Sequence, residues 1–151
     1  MRLKRQRYRP RLGVLGATVT SPEDRAYVAG FVDGEGCLSV RWNRDSNVGL
    51  YITANVTNTC LPILQALRET WGGNILTIRN TEPSRWRQKY RWEVGGRYAA
   101  RLLREILPHL RIKDEQAKLL LSFRAGDADA GEVFAKIRSL NKRGPREVAA
   151  S

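Results

Sequence analysis

In "YVAGFVDGEG", residues 27–36, Asp33 and Glu35 close an apolar run and alternate with Gly34 and Gly36. Glycines on either side of Glu35 permit a sharp exit from helix to strand, which places that carboxylate at a helix tip. The chain carries 27 Lys and Arg against 15 Asp and Glu, a formal net charge of +12. That is more than solubility requires, and a polyanionic partner such as nucleic acid accounts for it. A carboxylate directed at a polyanion is repelled unless a cation stands between them. Glu35 is therefore read as a ligand for Mg²⁺. Upstream, Ala26, Ala29 and Gly30 lie on adjoining turns, where small side chains let a second backbone come close.

Other reactive residue types offer less. Cys37 and Cys60 have no partner pair or His cluster near them in the sequence, so reduced thiols are expected rather than a disulfide or zinc site. His109, the single histidine, falls between apolar helix positions and is read as a partly exposed structural residue, not a general base. No segment approaches transmembrane length, and "LGVLGATV" near the start is too short and glycine-broken for a signal peptide. An intracellular, non-secreted protein is expected, with no membrane partner and no small-molecule substrate. The Asn55-Val56-Thr57 sequon is then an accident.

Six of the basic residues, Arg2, Lys4, Arg5, Arg7, Arg9 and Arg11, crowd a segment with no acid before Glu23. Setting them aside leaves 21 basic against 15 acidic residues, so the excess does not reside in the tail alone. Residues 1–20 show neither helix nor strand periodicity and are read as a flexible basic tail, 21–144 as one domain and 145–151 as a C-terminal tail.

The elements that must position Glu35 follow from periodicity. Ser21 suits an N-cap, Pro22 the first turn, and Asp24 completes a capping-box pattern; the helix should run to about Asp33. "CLSVRWN" alternates Leu38, Val40 and Trp42 with Ser39, Arg41 and Asn43. "LYITANVT" sets Leu50, Ile52, Ala54 and Val56 against Tyr51, Thr53, Asn55 and Thr57. With "RDSN" as the turn, the two form a hairpin. Ile63, Leu64, Leu67 and Trp71 return to helical spacing, closed by Gly72-Gly73. A second hairpin pairs "NILTIR" with "RQKYRWEV". A helical region with Leu102, Leu103, Ile106 and Leu110 follows, interrupted by Pro108, and two amphipathic helices, one carrying Ala117, Leu120 and Leu121, the other Val133, Phe134, Ile137 and Leu140, finish the domain.

This order, α-ββα-ββα plus C-terminal helices, predicts an α+β fold with one four-stranded antiparallel sheet, its apolar face covered by helices. Ser39, Arg41, Asn43, Tyr51, Thr53, Asn55, Thr77, Arg79, Arg87, Lys89 and Arg91 are assigned to the open face, as the side-chain types that read base edges and hold phosphates. Any solvated sheet face is polar, but here only Asp45, Glu82 and Glu93 oppose the cations. Trp86 sits among basic residues in the second hairpin loop and would stack or anchor the loop. Trp42, Trp71 and Trp92 are assigned to the core.

"YVAGFVDGEG" resembles the LAGLIDADG motif of homing endonucleases, specifically the single-motif kind that works as a homodimer. "LPHLRIKDEQAKLLL" (107–121) is similar to a second family segment, and "IRSLNKRG" (137–144) adds to the likeness, which spans roughly 23–144. The resemblance implies a site-specific, Mg²⁺-dependent endonuclease for double-stranded DNA, with Mn²⁺ as a substitute ion. Glu35 takes the place of the metal-binding catalytic acid, with Gly34 beside it at the metal. Lys113 would stabilise charge at the phosphate or help deprotonate water, and Asn58 would position water. Ala26, Ala29, Gly30 and Asp33 would meet the second subunit, with Asp33 structural at the helix end. Two subunits imply a nearly palindromic target whose half-site centres lie about 10 bp or more apart. One position departs from the pattern: where some relatives carry a basic residue, this chain has Pro62, so either a nearby Arg such as Arg68 substitutes or the site runs with fewer positive charges.

Two other readings fit parts of the sequence. A non-cleaving family member, such as an intron RNA splicing maturase, would keep the basic sheet while its acids stood idle. A small ribosomal or architectural protein would be monomeric and independent of divalent ions. Glu35 at the metal position favours cleavage over the first, and a dimer in the absence of DNA would separate the nuclease from the second.

Overall fold

The computed structural model describes residues 21–43 and 49–142. The tail assigned to 1–20, the turn expected at 44–47 and the segment from 143 onward, including the tail at 145–151, lie outside the described residues.

The elements are α1 (Pro22–Glu35), β1 (Gly36–Asn43), β2 (Gly49–Asn58), α2 (Leu61–Trp71), β3 (Asn74–Thr77), β4 (Tyr90–Gly95), α3 (Gly96–Ile106), a 3-10 turn (Leu107–His109), α4 (Asp114–Ala125) and α5 (Ala130–Leu140). The four strands form one antiparallel sheet in the order β1-β2-β4-β3, the α+β arrangement expected from the hydrophobic pattern.

At the start of α1 the Ser21 hydroxyl accepts the Asp24 N–H at 3.1 Å, the bond that a capping side chain supplies to an unpaired first-turn donor. The helix continues two residues beyond Asp33, so Gly34 is helical and Gly36 alone ends it. The reason is steric. A Cβ at Gly36 would stand 2.7 Å from the Val32 carbonyl oxygen, whereas one at Gly34 would meet nothing within 4 Å.

Leu38, Val40, Leu50, Ile52, Ala54, Val56, Trp92 and Val94 form the covered face of the sheet. They pack on Val28, Ala29 and Val32 of α1, Leu64, Leu67 and Trp71 of α2, Leu102, Leu103 and Ile106 of α3, and Ala117 and Leu120 of α4. Burying each large apolar side chain stabilises the fold by about 1.5–3 kcal/mol relative to exposure. The two core indoles are also satisfied: Trp71 Nε1 donates to Glu105 Oε2 and Trp92 Nε1 to the Gly72 carbonyl, each at 2.9 Å. Gly73 has φ +86°, and a Cβ there would lie 2.2 Å from the Glu93 carbonyl oxygen, so only glycine lets the chain leave α2 against β4.

Two sequence expectations fail in the sheet. Trp42 is not core: the covered layer stops between Val40, 6% exposed, and Trp42, 62% exposed, because β1 runs past it toward the hairpin tip. The second hairpin is shorter than the apolar pattern suggests. Its register pairs Ile75 with Trp92 and Thr77 with Tyr90, so Thr77 shares the side of Ile75 and does not belong to the open face. Asn74 and Leu76 hold that face on β3 instead, opposite Glu93 and Arg91.

Candidate active site

The end of α1 is fastened to the segment that precedes α4. Asp33 Oδ2 accepts the Arg111 N–H at 2.9 Å, and Oδ1 accepts those of Ile112 at 3.2 Å and Lys113 at 2.9 Å. In return the Lys113 ammonium donates to the Asp33 carbonyl, a cation on an unpaired last-turn C=O at the negative end of the helix dipole. Asp33 is buried by these bonds and turned into its own chain, which corrects its assignment to a subunit interface. Ala29 is corrected likewise, since it is fully buried in the core. Ala26, Tyr27, Gly30 and Gly34 are the exposed stripe of α1.

Glu35, two residues beyond this clamp, is exposed, and its carboxylate has no hydrogen-bond or ion-pair partner among the described residues. It lines an open cleft of about 1090 Å³ together with Gly34, Asn58, Lys89, Arg91 and Lys113. Residues from α1, β2, β4 with the residue before it, and the start of α4, as many as 79 apart in sequence, meet there because β2 ends where β1 and β4 begin: Val56 pairs with Gly36 and Asn58 with Tyr90. Asn58 Oδ1 accepts the Cys60 N–H at 2.8 Å, so the amide is fixed in one orientation and its NH₂ remains a donor for the cleft.

Positive charge enters from β4. Arg91 Nε donates to Thr57 Oγ1 at 3.2 Å, while Lys89 has no ion-pair or hydrogen-bond partner through its ammonium among the described residues. Arg68, one of the two answers to the base missing at Pro62, stands in the last turn of α2, away from the cleft lining. Thr57, Ile112, Gln116 and Asn141 also line the walls and were missed in the sequence. Gln116, three residues after Lys113 on one helix face, had a detectable signal. Asn141 had none, since its bond from Nδ2 to the Leu38 carbonyl at 2.7 Å joins the end of α5 to β1. His109 lies outside the cleft. On α4, a hydrogen bond from Lys118 holds the exposed Asp114 carboxyl below its ordinary range.

Register places Ser39, Arg41, Asn43, Tyr51, Thr53, Asn55 and Arg91 on the open face, with Lys89 two residues before Arg91. Thr53 is buried at the sheet centre, its hydroxyl 3.4 Å from the Ser39 carbonyl it donates to, so it supports the face rather than projecting from it. Arg79 and Arg87 are exposed but lie in the β3–β4 connection, outside the strands. That connection also carries exposed Trp86, with the Arg85 guanidinium 5.9 Å from its ring centroid and its carbonyl held by Asn80 Nδ2 at 2.7 Å. It leaves the sheet at the end where Glu35 stands.

Among the described residues no group of three or more His, Cys, Asp or Glu side chains could enclose a metal. Glu35 is a lone carboxylate. Such a donor fits Mg²⁺, which keeps several waters and takes one or two protein carboxylates plus phosphate oxygens.

No family model and no curated protein matches the chain. Solved structures do. The homing endonuclease I-CvuI, in complex with the I-CreI target with Mg present and the DNA not cleaved, superimposes with a TM-score of 0.63 at 23% identity, over 82% of this chain and 85% of that one. The archaeal intron-encoded homing endonuclease I-Vdi141I, complexed with DNA, has a TM-score of 0.58 at 18% identity, over 83% and 88%. The group I intron-encoded homing endonuclease I-CeuI, also complexed with DNA, has 0.52 at 19%, over 85% and 71%. The fold is that of the LAGLIDADG homing endonucleases. Within this LAGLIDADG fold, "YVAGFVDGEG" is the C-terminal part of α1 and the first residue of β1. That helix ends on Glu35, and its earlier acid, Asp33, serves as the internal clamp.

Proposed function

We propose that the chain is a site-specific double-strand DNA endonuclease that acts as a homodimer on a long, nearly palindromic site and hydrolyses phosphodiesters with Mg²⁺. The observation that carries this reading is the cleft at one end of the open sheet, where Glu35, Asn58 and Lys113 meet Lys89 and Arg91. The neighbours in complex with DNA lend support, since this chain shares their fold over 82% and 83% of its length.

When bound, Mg²⁺ supplies positive charge to the scissile phosphate and brings water activation within reach at neutral pH. Glu35, with Gly34 beside it, would hold that ion. The Asn58 NH₂ donates to a water or phosphate oxygen, and Lys113, kept in place by its bond to the Asp33 carbonyl, stabilises charge developing on the phosphate. Ser39, Arg41, Asn43, Tyr51, Asn55 and Arg91 face the major groove, with Thr53 behind them, while Lys89, Arg79 and Arg87 follow the backbone. The second subunit meets Ala26, Gly30 and Gly34, where a Cβ on either glycine finds open space in a single chain. That crossing brings two copies of Glu35 to one target, one per strand.

The test uses DNA in which the sequences flanking the open reading frame are joined. Cutting with Mg²⁺ and binding without cutting in Ca²⁺ are expected. Binding without cutting under both ions would favour the splicing reading, and no binding would refute both.

A further inference from the structure

Glu93 is the only acidic residue in the four strands, and it stands near the middle of the open face. Register aligns it across the strands with Asn55 on β2 and Asn74 on β3. Its Oε1 lies 3.5 Å from Arg41 Nη2, reaching over from β1, and 3.9 Å from Arg91 Nη1 on its own strand. Arg91 is held a second time by Thr57 Oγ1. A pocket of about 190 Å³ opens at this point, with Arg41, Tyr51, Asn55, Asn74 and Glu93 in its lining.

A carboxylate on a surface that meets a polyanion opposes binding, so its presence needs a reason. We infer that Glu93 is a positioning residue for sequence readout, orienting the guanidinium groups of Arg41 and Arg91 toward base edges rather than phosphates. The inference rests on the open face being the DNA-reading surface.

An unrestrained arginine near a duplex goes to the closest phosphate, because that attraction has little geometric requirement and carries no sequence information. Reading guanine requires the planar fork to meet O6 and N7 together, which needs the side chain fixed before contact. Glu93 supplies that restraint for two arginines with one oxygen. Each pair is part-exposed in the free protein and is worth little there. Docking of a duplex excludes water from the face and strengthens both.

The test compares the full-length protein with E93Q and E93D. Each is titrated with one fixed random-sequence duplex over a range of NaCl concentrations, and each is used to select bound sequences from a randomised duplex library. Losing the charge and freeing two guanidiniums should tighten E93Q on the random duplex by about tenfold and steepen its salt dependence by about one to two counterions. The E93Q consensus should lose preference over a contiguous block in each half-site, and E93D should restore it. A purely structural role would not raise affinity or steepen the salt slope. An unchanged E93Q consensus overturns the inference. So does a change at one cytosine position with random-duplex binding unaltered, which would make Glu93 itself a base reader. A wild-type protein that enriches no sequence instead removes the DNA-reading surface, and the inference with it.

Discussion

Asp33 and Lys113, 80 residues apart, are joined twice: the Asp33 carboxylate accepts the Lys113 N–H at 2.9 Å, and the Lys113 ammonium donates to the Asp33 carbonyl. One residue thereby fixes both the backbone and the side chain of another. The end of the motif helix cannot move without moving Lys113. The clamp also leaves Glu35, two residues further on, as the carboxylate open to the cleft.

Replacing Asp33 with Asn should therefore act on stability and chemistry together. It keeps one acceptor oxygen but removes the charge that three backbone N–H groups share. Hydrogen bonds to charged groups contribute about 1.5–3 kcal/mol each, and a net loss of roughly 3 kcal/mol is expected. The urea midpoint measures it. Single-turnover cleavage should slow in parallel as Lys113 loses its place; a variant with wild-type stability would show that the clamp contributes little.

Glu35→Gln should bind DNA nearly as wild type and lose cutting by more than the roughly 10–100-fold typical of a group that only supports a metal ligand. Gel shift and plasmid linearisation separate the two effects. Retained cleavage would assign the metal to another residue.

Lys113→Met keeps the backbone N–H bonded to Asp33 while removing the ammonium. Cleavage in single turnover should fall by about a hundredfold with affinity little changed, the size expected when one charge stabiliser is removed. An unaltered rate would take Lys113 out of the chemistry.

Lys89→Ala and Arg68→Ala discriminate between two sources of positive charge. Only Lys89 lines the cleft, so only its loss should weaken binding across sequences and reduce the salt slope by about one. Equal effects from both would mean that α2 also touches the duplex.

Gly30→Leu and Gly36→Ala should fail in different ways. A side chain at Gly30 meets nothing in the single chain, so the variant should fold and melt normally yet run as a monomer in light scattering. At Gly36 the new Cβ is driven against the Val32 carbonyl, and overpacking of this kind costs about 1–3 kcal/mol. A dimeric Gly30→Leu would move the subunit contact away from α1.

Much of the fold was legible in the chain because short-range periodicity records which face of an element is covered. The alternation of Leu50, Ile52, Ala54 and Val56 and the helical spacing of Ile63, Leu64, Leu67 and Trp71 are met residue for residue. The same logic fails where the covered layer ends or where apolar residues are adjacent. Trp42 keeps the parity of a core residue but outruns the helices. Ile75, Leu76 and Ile78 allow either parity, and it is pairing with Trp92 and Tyr90 that sets Thr77 on the side of Ile75.

The sequence by itself determined the element order, the basic character of one sheet face and the residue at the tip of the motif helix, since each depends on neighbours along the chain. Tertiary structure alone decided which of the small and acidic residues of α1 face inward. Ala29 and Asp33 lie on the same helix as Gly30 and Glu35, and a rotation of about 100° per residue divides them between the protein's interior and its surface. It also decided that Lys89 and Arg91, at the start of β4, rather than α2 join Lys113 as the cleft's cations, because sheet order, a long-range property, sets Tyr90 beside Asn58.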